Sequence, residues 1–103
     1  MLNINKLNTN PQFNWLQMEQ IRESFKNNLT IEQVKLFAKP KFNSRQMEQI
    51  CLGFNNGLTI EQVRLYTDCK FDCNQMWRIR EFILENKNTS INILKFLIQL
   101  KVL

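Results

Sequence analysis

Few side chains in this sequence could do chemistry, and their spacing argues against catalysis. Cys51, Cys69 and Cys73 are the only cysteines, and there is no histidine. Three thiols without a histidine fall short of a four-ligand structural zinc site, and an odd number cannot all pair. They read as reduced thiols, with a Cys69–Cys73 bridge or an intermolecular disulfide as the alternative. No serine or cysteine has an identifiable base, and there is no glycine-rich phosphate loop. Glu19 and Glu48 recur in matching turns, while Glu32 and Glu61 fall where a helix dipole favours an acid. All four read as solvated helix N-termini. The chain is expected to be no enzyme and to need no metal or cofactor.

The cations and one aromatic are better candidates. Lys35 and Arg64 stand at matching positions, as do Lys41 and Lys70, with Lys39 between them. Aligned, they would form a basic ridge able to meet phosphates. The competing reading is that cations near helix C-termini simply complement the dipole. Trp77, Arg78 and Arg80 form a second set, of the residue types enriched in protein-binding hot spots. Against that, Trp77 could pack on the final helix. The net charge of +5 tolerates an anionic partner without demanding one. It also argues against a DNA mimic, which would need an acidic face.

The elements that must position these residues follow from an internal repeat. Residues 13–41 and 42–70 are identical at 17 of 29 positions without a gap, and residues 71–103 form a third, degraded copy. A fixed period of this size marks stacked supersecondary units. Asn14, Asn43 and Asp72 are each followed three residues later by a glutamine, which is close to a capping box. Behind each cap runs a stripe at helical spacing: Met18, Ile21 and Phe25, then Met47, Ile50 and Phe54, then Met76, Ile79 and Ile83. Asn27-Asn28 and Asn55-Asn56-Gly57 break the helices, and Gly57 suits a left-handed position. Thr30 and Thr59 cap a second, shorter helix.

The pattern predicts an all-α fold of three stacked helical hairpins, a short α-solenoid. Helices are expected near 14–27, 30–38, 43–55, 59–68, 72–86 and 90–101. Residues 1–12 are expected to be a flexible N-terminal segment, and 13–103 a single domain. The predicted core is Phe13, Met18, Ile21, Phe25, Val34, Phe42, Met47, Ile50, Phe54, Val63, Phe71, Met76 and Ile79. Only two glycines and two prolines are present, too few for the tight turns of an all-β fold.

The third unit loses the Leu-Thr-Ile-Glu-Gln-Val signature and ends in an apolar segment, Ile91 to Leu103, capped by Thr89 or Ser90. It is shorter than the roughly 20 residues of a membrane span and is interrupted by Lys95, Gln99 and Lys101. With no signal-peptide pattern at the start, a soluble cytoplasmic protein is expected. Ile91, Leu94, Leu97, Ile98 and Leu103 can cover the third unit, which leaves Ile93, Phe96, Leu100 and Val102 pointing elsewhere. That second stripe predicts a homodimer through the last helix, or a partner groove filled by it.

Taken together, Phe-Asn/Asp-x-x-Gln-Met-x-x-Ile followed by Leu-x-x-x-Gln-Val-x-x-Phe/Tyr resembles a degenerate repeat of small accessory proteins. These are carried by phages and conjugative elements of low-GC Gram-positive bacteria. The resemblance covers residues 13–83. It departs from the family's Arg-x-Gly-Leu segment, in whose place stand Arg22-Glu23-Ser24-Phe25, Cys51-Leu52-Gly53-Phe54 and Arg80-Glu81-Phe82-Ile83. It implies mobile-element ancestry and a binding role, as in anti-CRISPR and other anti-defence proteins. A host defence nuclease or its RNA complex would then be the partner.

Overall fold

A computed structural model describes residues 12–100, and within them the protein is all-α. Six helices follow one another: α1 (Trp15–Lys26), α2 (Ile31–Phe37), α3 (Ser44–Asn55), α4 (Ile60–Arg64), α5 (Cys73–Glu85) and α6 (Ile91–Gln99). The predicted flexible segment, residues 1–12, lies almost wholly outside the described residues, as do 101–103. The long helix α3 packs on α1 at one side and α5 at the other, and it also touches α2 and α4. The result is a slab of 41 × 23 × 16 Å.

Every helix begins where a cap dictates. Asn14, Asn43 and Asp72 accept from the backbone N–H of Gln17, Gln46 and Gln75, whose side chains accept in return from the cap N–H. Thr30 and Thr59 build the same box with Gln33 and Gln62. Two orphan donors at each start are thereby satisfied. The long helices α1 and α3 end alike. Asn28 (φ 65°) and Gly57 (φ 85°) turn left-handed, and the next N–H, of Leu29 or Leu58, bonds back to Ser24 or Gly53 at 3.1 and 3.0 Å. This is the Schellman turn, completed by burying both leucines.

The capping glutamines also do something that the sequence reading assigned to capping alone. Gln17 Nε2 donates to the carbonyls of Pro40 (3.1 Å) and Phe42 (2.6 Å). Gln46 Nε2 donates to the matching carbonyls of Cys69 (3.4 Å) and Phe71 (2.7 Å). Each amide therefore caps its own helix through oxygen and fixes the connector entering the next long helix through nitrogen. Gln75 keeps the box but is exposed, and among the described residues its side-chain nitrogen holds no connector.

Most of the predicted core is buried, but Met18, Phe25 and Phe71 are only half-buried. Met18 and Phe25 lie on α1, which among the described residues has a long-helix neighbour on one side only. Phe71 lies beside the displaced last helix. The predicted core omitted Phe37 and Tyr66, both fully buried, together with Leu29, Leu58 and Cys51; Ile83, on the expected stripe, and Leu94, expected to cover the third unit, are fully buried too. Helix α4 stops at Arg64, short of the expected 68, because Leu65 to Thr67 take tighter i→i+3 bonds. Helix α6 is capped by Ser90 and starts 31 residues after α4, not 29. In that shifted register Leu94 occupies the place of Val34 and Val63, and all three are fully buried.

The double duty of the glutamines distinguishes them from glutamate, which completes a capping box equally well but cannot donate. Gln46→Glu should turn a carboxylate toward two carbonyl oxygens and cost on the order of 2–4 kcal/mol. Gln75→Glu should stay within about 0.5 kcal/mol of the parent, aided by the helix dipole. Urea unfolding of the two variants side by side checks this; equal losses would show that only the box matters.

Candidate interaction surfaces

Helix α5 places the aromatic–arginine set, and it splits that set in two. Trp77, at the repeat position held by Glu19 and Glu48, is 50% exposed, and its neighbour Arg78 is exposed as well. Arg80 is not part of this surface. It is only 6% exposed, and its Nε and Nη2 donate to Gln49 Oε1 at 3.3 and 3.2 Å. Its Nη1 meets Glu81 Oε2 at 3.1 Å. The residue occupies the inward repeat position of Cys51 and ties α5 to α3, so its charge is committed to the fold. Placing it in a partner-binding set is corrected here.

The cations expected to form a ridge are all exposed. Lys35 and Arg64 close the last turns of α2 and α4, where they complement the dipole. Lys41 and Lys70 each lie over the ring of the next phenylalanine, 5.4 and 5.2 Å from the centroids of Phe42 and Phe71. Lys70 also stands 3.9 Å from Asp68. Arg64 and Lys70 line one groove of about 430 Å³, bounded by α4, the connector after it and α6. Lys95, which the two-residue shift aligns with Lys35 and Arg64, reaches the same groove.

Helix α6 divides as its pattern requires. Leu94 is fully buried and Ile98 packs against the core, while Ile93, Phe96 and Leu100 are 54%, 59% and 59% exposed. Val102 lies outside the described residues. A further apolar patch escaped the sequence reading. Trp15 and Leu16 open α1 at 67% and 50% exposure, and Leu16 borders a shallow groove with Glu19, Arg45 and Glu48. The signal was available: the matching positions are Ser44-Arg45 and Cys73-Asn74, all polar or small, so a Trp-Leu pair there breaks the pattern.

Among the described residues, no group of three His, Cys, Asp or Glu side chains could hold a metal, and no helix is long and apolar enough to cross a membrane. In comparisons with known proteins the chain matches no family model, no curated protein and no solved structure.

All three cysteines are free: Cys51 is buried, Cys73 half-buried and Cys69 exposed. Burial pushes the Cys51 thiol up from 9.0 to about 12. Burial likewise raises the Tyr66 phenol above its ordinary 10.0, although the nearby Arg80 cation pulls the other way. Both groups are neutral in the folded state and ionise more easily in the unfolded chain. Their contribution is therefore complete below the unfolded values and is lost progressively as pH rises from those values through the raised folded ones. Stability should start to fall above about pH 9, with a slope approaching ~1.4 kcal/mol per pH unit for each group. Cys51→Ala and Tyr66→Phe should each flatten that decline in urea unfolding between about pH 8 and 11. Parallel pH profiles for parent and variants would refute it.

Proposed function

We propose that this chain is a non-catalytic, macromolecule-binding helical module of phage or mobile-element type. Its target is a protein in the bacterial cytoplasm, and its action is to inhibit a host defence nuclease such as a CRISPR effector. The observation that carries the binding role is Trp77. A large aromatic stands half-exposed where the repeat stops obeying itself, with the exposed Arg78 beside it. Nothing in the packing of α5 requires a tryptophan there, since glutamate serves at the same position of α1 and α3. Tryptophan and arginine together are the usual anchors of a protein interface. The inhibitory role rests on the resemblance to mobile-element repeat proteins, and the net charge of +5 directs it away from DNA mimicry.

The runner-up, a nucleic-acid-binding regulator, draws on Lys35, Lys39, Lys41, Arg64 and Lys70. It is supported by the shared groove of Arg64, Lys70 and Lys95. It is weakened by Glu61 and Asp68 in the same walls. Salt separates the two, because phosphate contacts lose roughly 0.9 log units of affinity per tenfold salt for each phosphate neutralised.

In a plasmid-interference assay with an active CRISPR effector, expression of the chain should restore transformation. Trp77→Ala with Arg78→Ala should abolish the effect while leaving the melting temperature within a few degrees of the parent. Full interference in the presence of the intact chain would sink the inhibitor reading. Inhibition undiminished by the double variant would remove Trp77 from the interface.

The stripe Ile93, Phe96 and Leu100 supports self-association through α6. Each such side chain gains roughly 1.5–3 kcal/mol on burial. Three per protomer make a small patch against the roughly 1,200 Å² of a stable interface, so the dimer should be a weak one. Light scattering should show a mass moving from 12.4 kDa toward twice that as concentration rises, and Phe96→Glu should hold the protein monomeric. A constant monomer mass for the parent chain would eliminate the dimer.

A further inference from the structure

The groove between α4 and α6 is a product of the two-residue shift that displaces α6. Phe42 is buried to 1% exposure, whereas Phe71, at the same place one repeat later, is left half-exposed. Its ring, with Leu65, Ile91 and Ile98, gives the groove an apolar floor. At about 430 Å³ it has the size of a site for a few side chains. The charges around it are not equivalent. Lys70 is offset by Asp68 at 3.9 Å, while Arg64 and Lys95 enter no ion pair among the described residues, where the other acid in the walls is Glu61. One positive charge is left in excess, above an apolar floor.

We propose that this groove docks an acidic amphipathic segment of a partner protein. One or two apolar side chains of that segment enter between Phe71 and Ile98, and carboxylates flank them at Arg64 and Lys95. A peptide can space its carboxylates to meet these two cations and stay clear of Glu61 and Asp68. A phosphodiester chain carries charge at every residue and cannot avoid them. The stripe proposed for self-association, Ile93, Phe96 and Leu100, does not line this groove. Trp77 and Arg78 do not line this groove, so this proposal and the Trp77 surface stand or fall separately.

The test uses the full chain and a fluorescein-labelled synthetic helix of about a dozen residues with Leu and Phe on one face and Glu beside them. It should bind with a Kd of ~10–100 μM, whereas a twin with Lys for every Glu should bind at least about tenfold more weakly. Amide shifts in NMR spectra should cluster at residues 64–71 and 91–99. Arg64→Glu with Lys95→Glu, both exposed and outside the core, should invert the preference between the two peptides without moving the melting temperature. No saturable binding of the acidic peptide at about 1 mM, or equal binding of both twins, overturns the proposal. So does a single-stranded oligothymidylate that displaces the peptide with steep salt dependence. Shifts at residues 64–71 that track protein concentration without peptide would assign the groove to a second copy, and would also overturn it.

Discussion

The structure depends on a hydrogen-bonding constraint met by one residue type. Gln17 and Gln46 are buried to 5% exposure, and a buried amide must use its oxygen and both N–H groups or lose their hydration without return. The oxygen accepts from the helix cap of its own unit, and the two N–H groups donate to two carbonyls of the next connector. Cap and connector are thereby placed relative to one side chain, so the start of one long helix fixes the start of the next. Among the described residues no buried side-chain nitrogen or oxygen lacks a partner. A chain of this size, with few tight turns, is held in register mainly by these amides and by the stripe they bring together.

Within that frame the units adjust to each other in pairs. Gly53 lies under Tyr66, whose hydroxyl donates to the Gln49 carbonyl at 2.8 Å, and a Cβ at residue 53 would collide with that hydroxyl. One repeat earlier the same two places hold Ser24 and Phe37. Phenylalanine lacks the hydroxyl, and the space it leaves admits a serine side chain that bonds to the Ile21 carbonyl. The two solutions conserve volume and hydrogen bonding together. A glycine in the middle of α3 costs about 1 kcal/mol in helix propensity, and the buried tyrosine explains why it is there.

Helix starts were legible in the sequence because caps are local: an Asn, Asp or Thr with Gln three residues on is decided within one turn. The stripe was legible for the same reason, since its period belongs to a single helix. What escaped depends on contacts between units. Gln17 and Gln46 looked like caps because their second role reaches 23 and 25 residues along the chain. Phe37 and Tyr66 continue the short-helix stripe three residues after Val34 and Val63, but the predicted core stopped at the valines; Tyr66 is buried against Gly53 and Gln49 of α3. The start of α6, by contrast, was legible from its Thr89-Ser90 cap, 31 residues after the start expected at 59. A two-residue gap aligns Ile91 and Leu94 with Ile60 and Val63. Arg80 was misjudged because its neighbour Gln49 lies on another helix.

The repeat supplies a criterion for function that composition alone does not. A position that departs from its counterparts either compensates for another departure inside the fold or has been released from packing. Arg80 and Tyr66 are compensations: both are buried, and each bonds to an atom of Gln49 on α3. Trp77, Trp15-Leu16 and the Ile93–Phe96–Leu100 stripe are departures toward large apolar groups that remain in water. Burying each would gain roughly 1.5–3 kcal/mol, yet the fold does not take that gain. Monomers seldom expose such groups in contiguous patches without a use for them. The departures that stay exposed lie on the first and last long helices and on α6, while α3, packed on both sides, keeps a polar outer surface of Arg45 and Glu48. The elements least constrained by stacking are therefore the ones free to carry recognition.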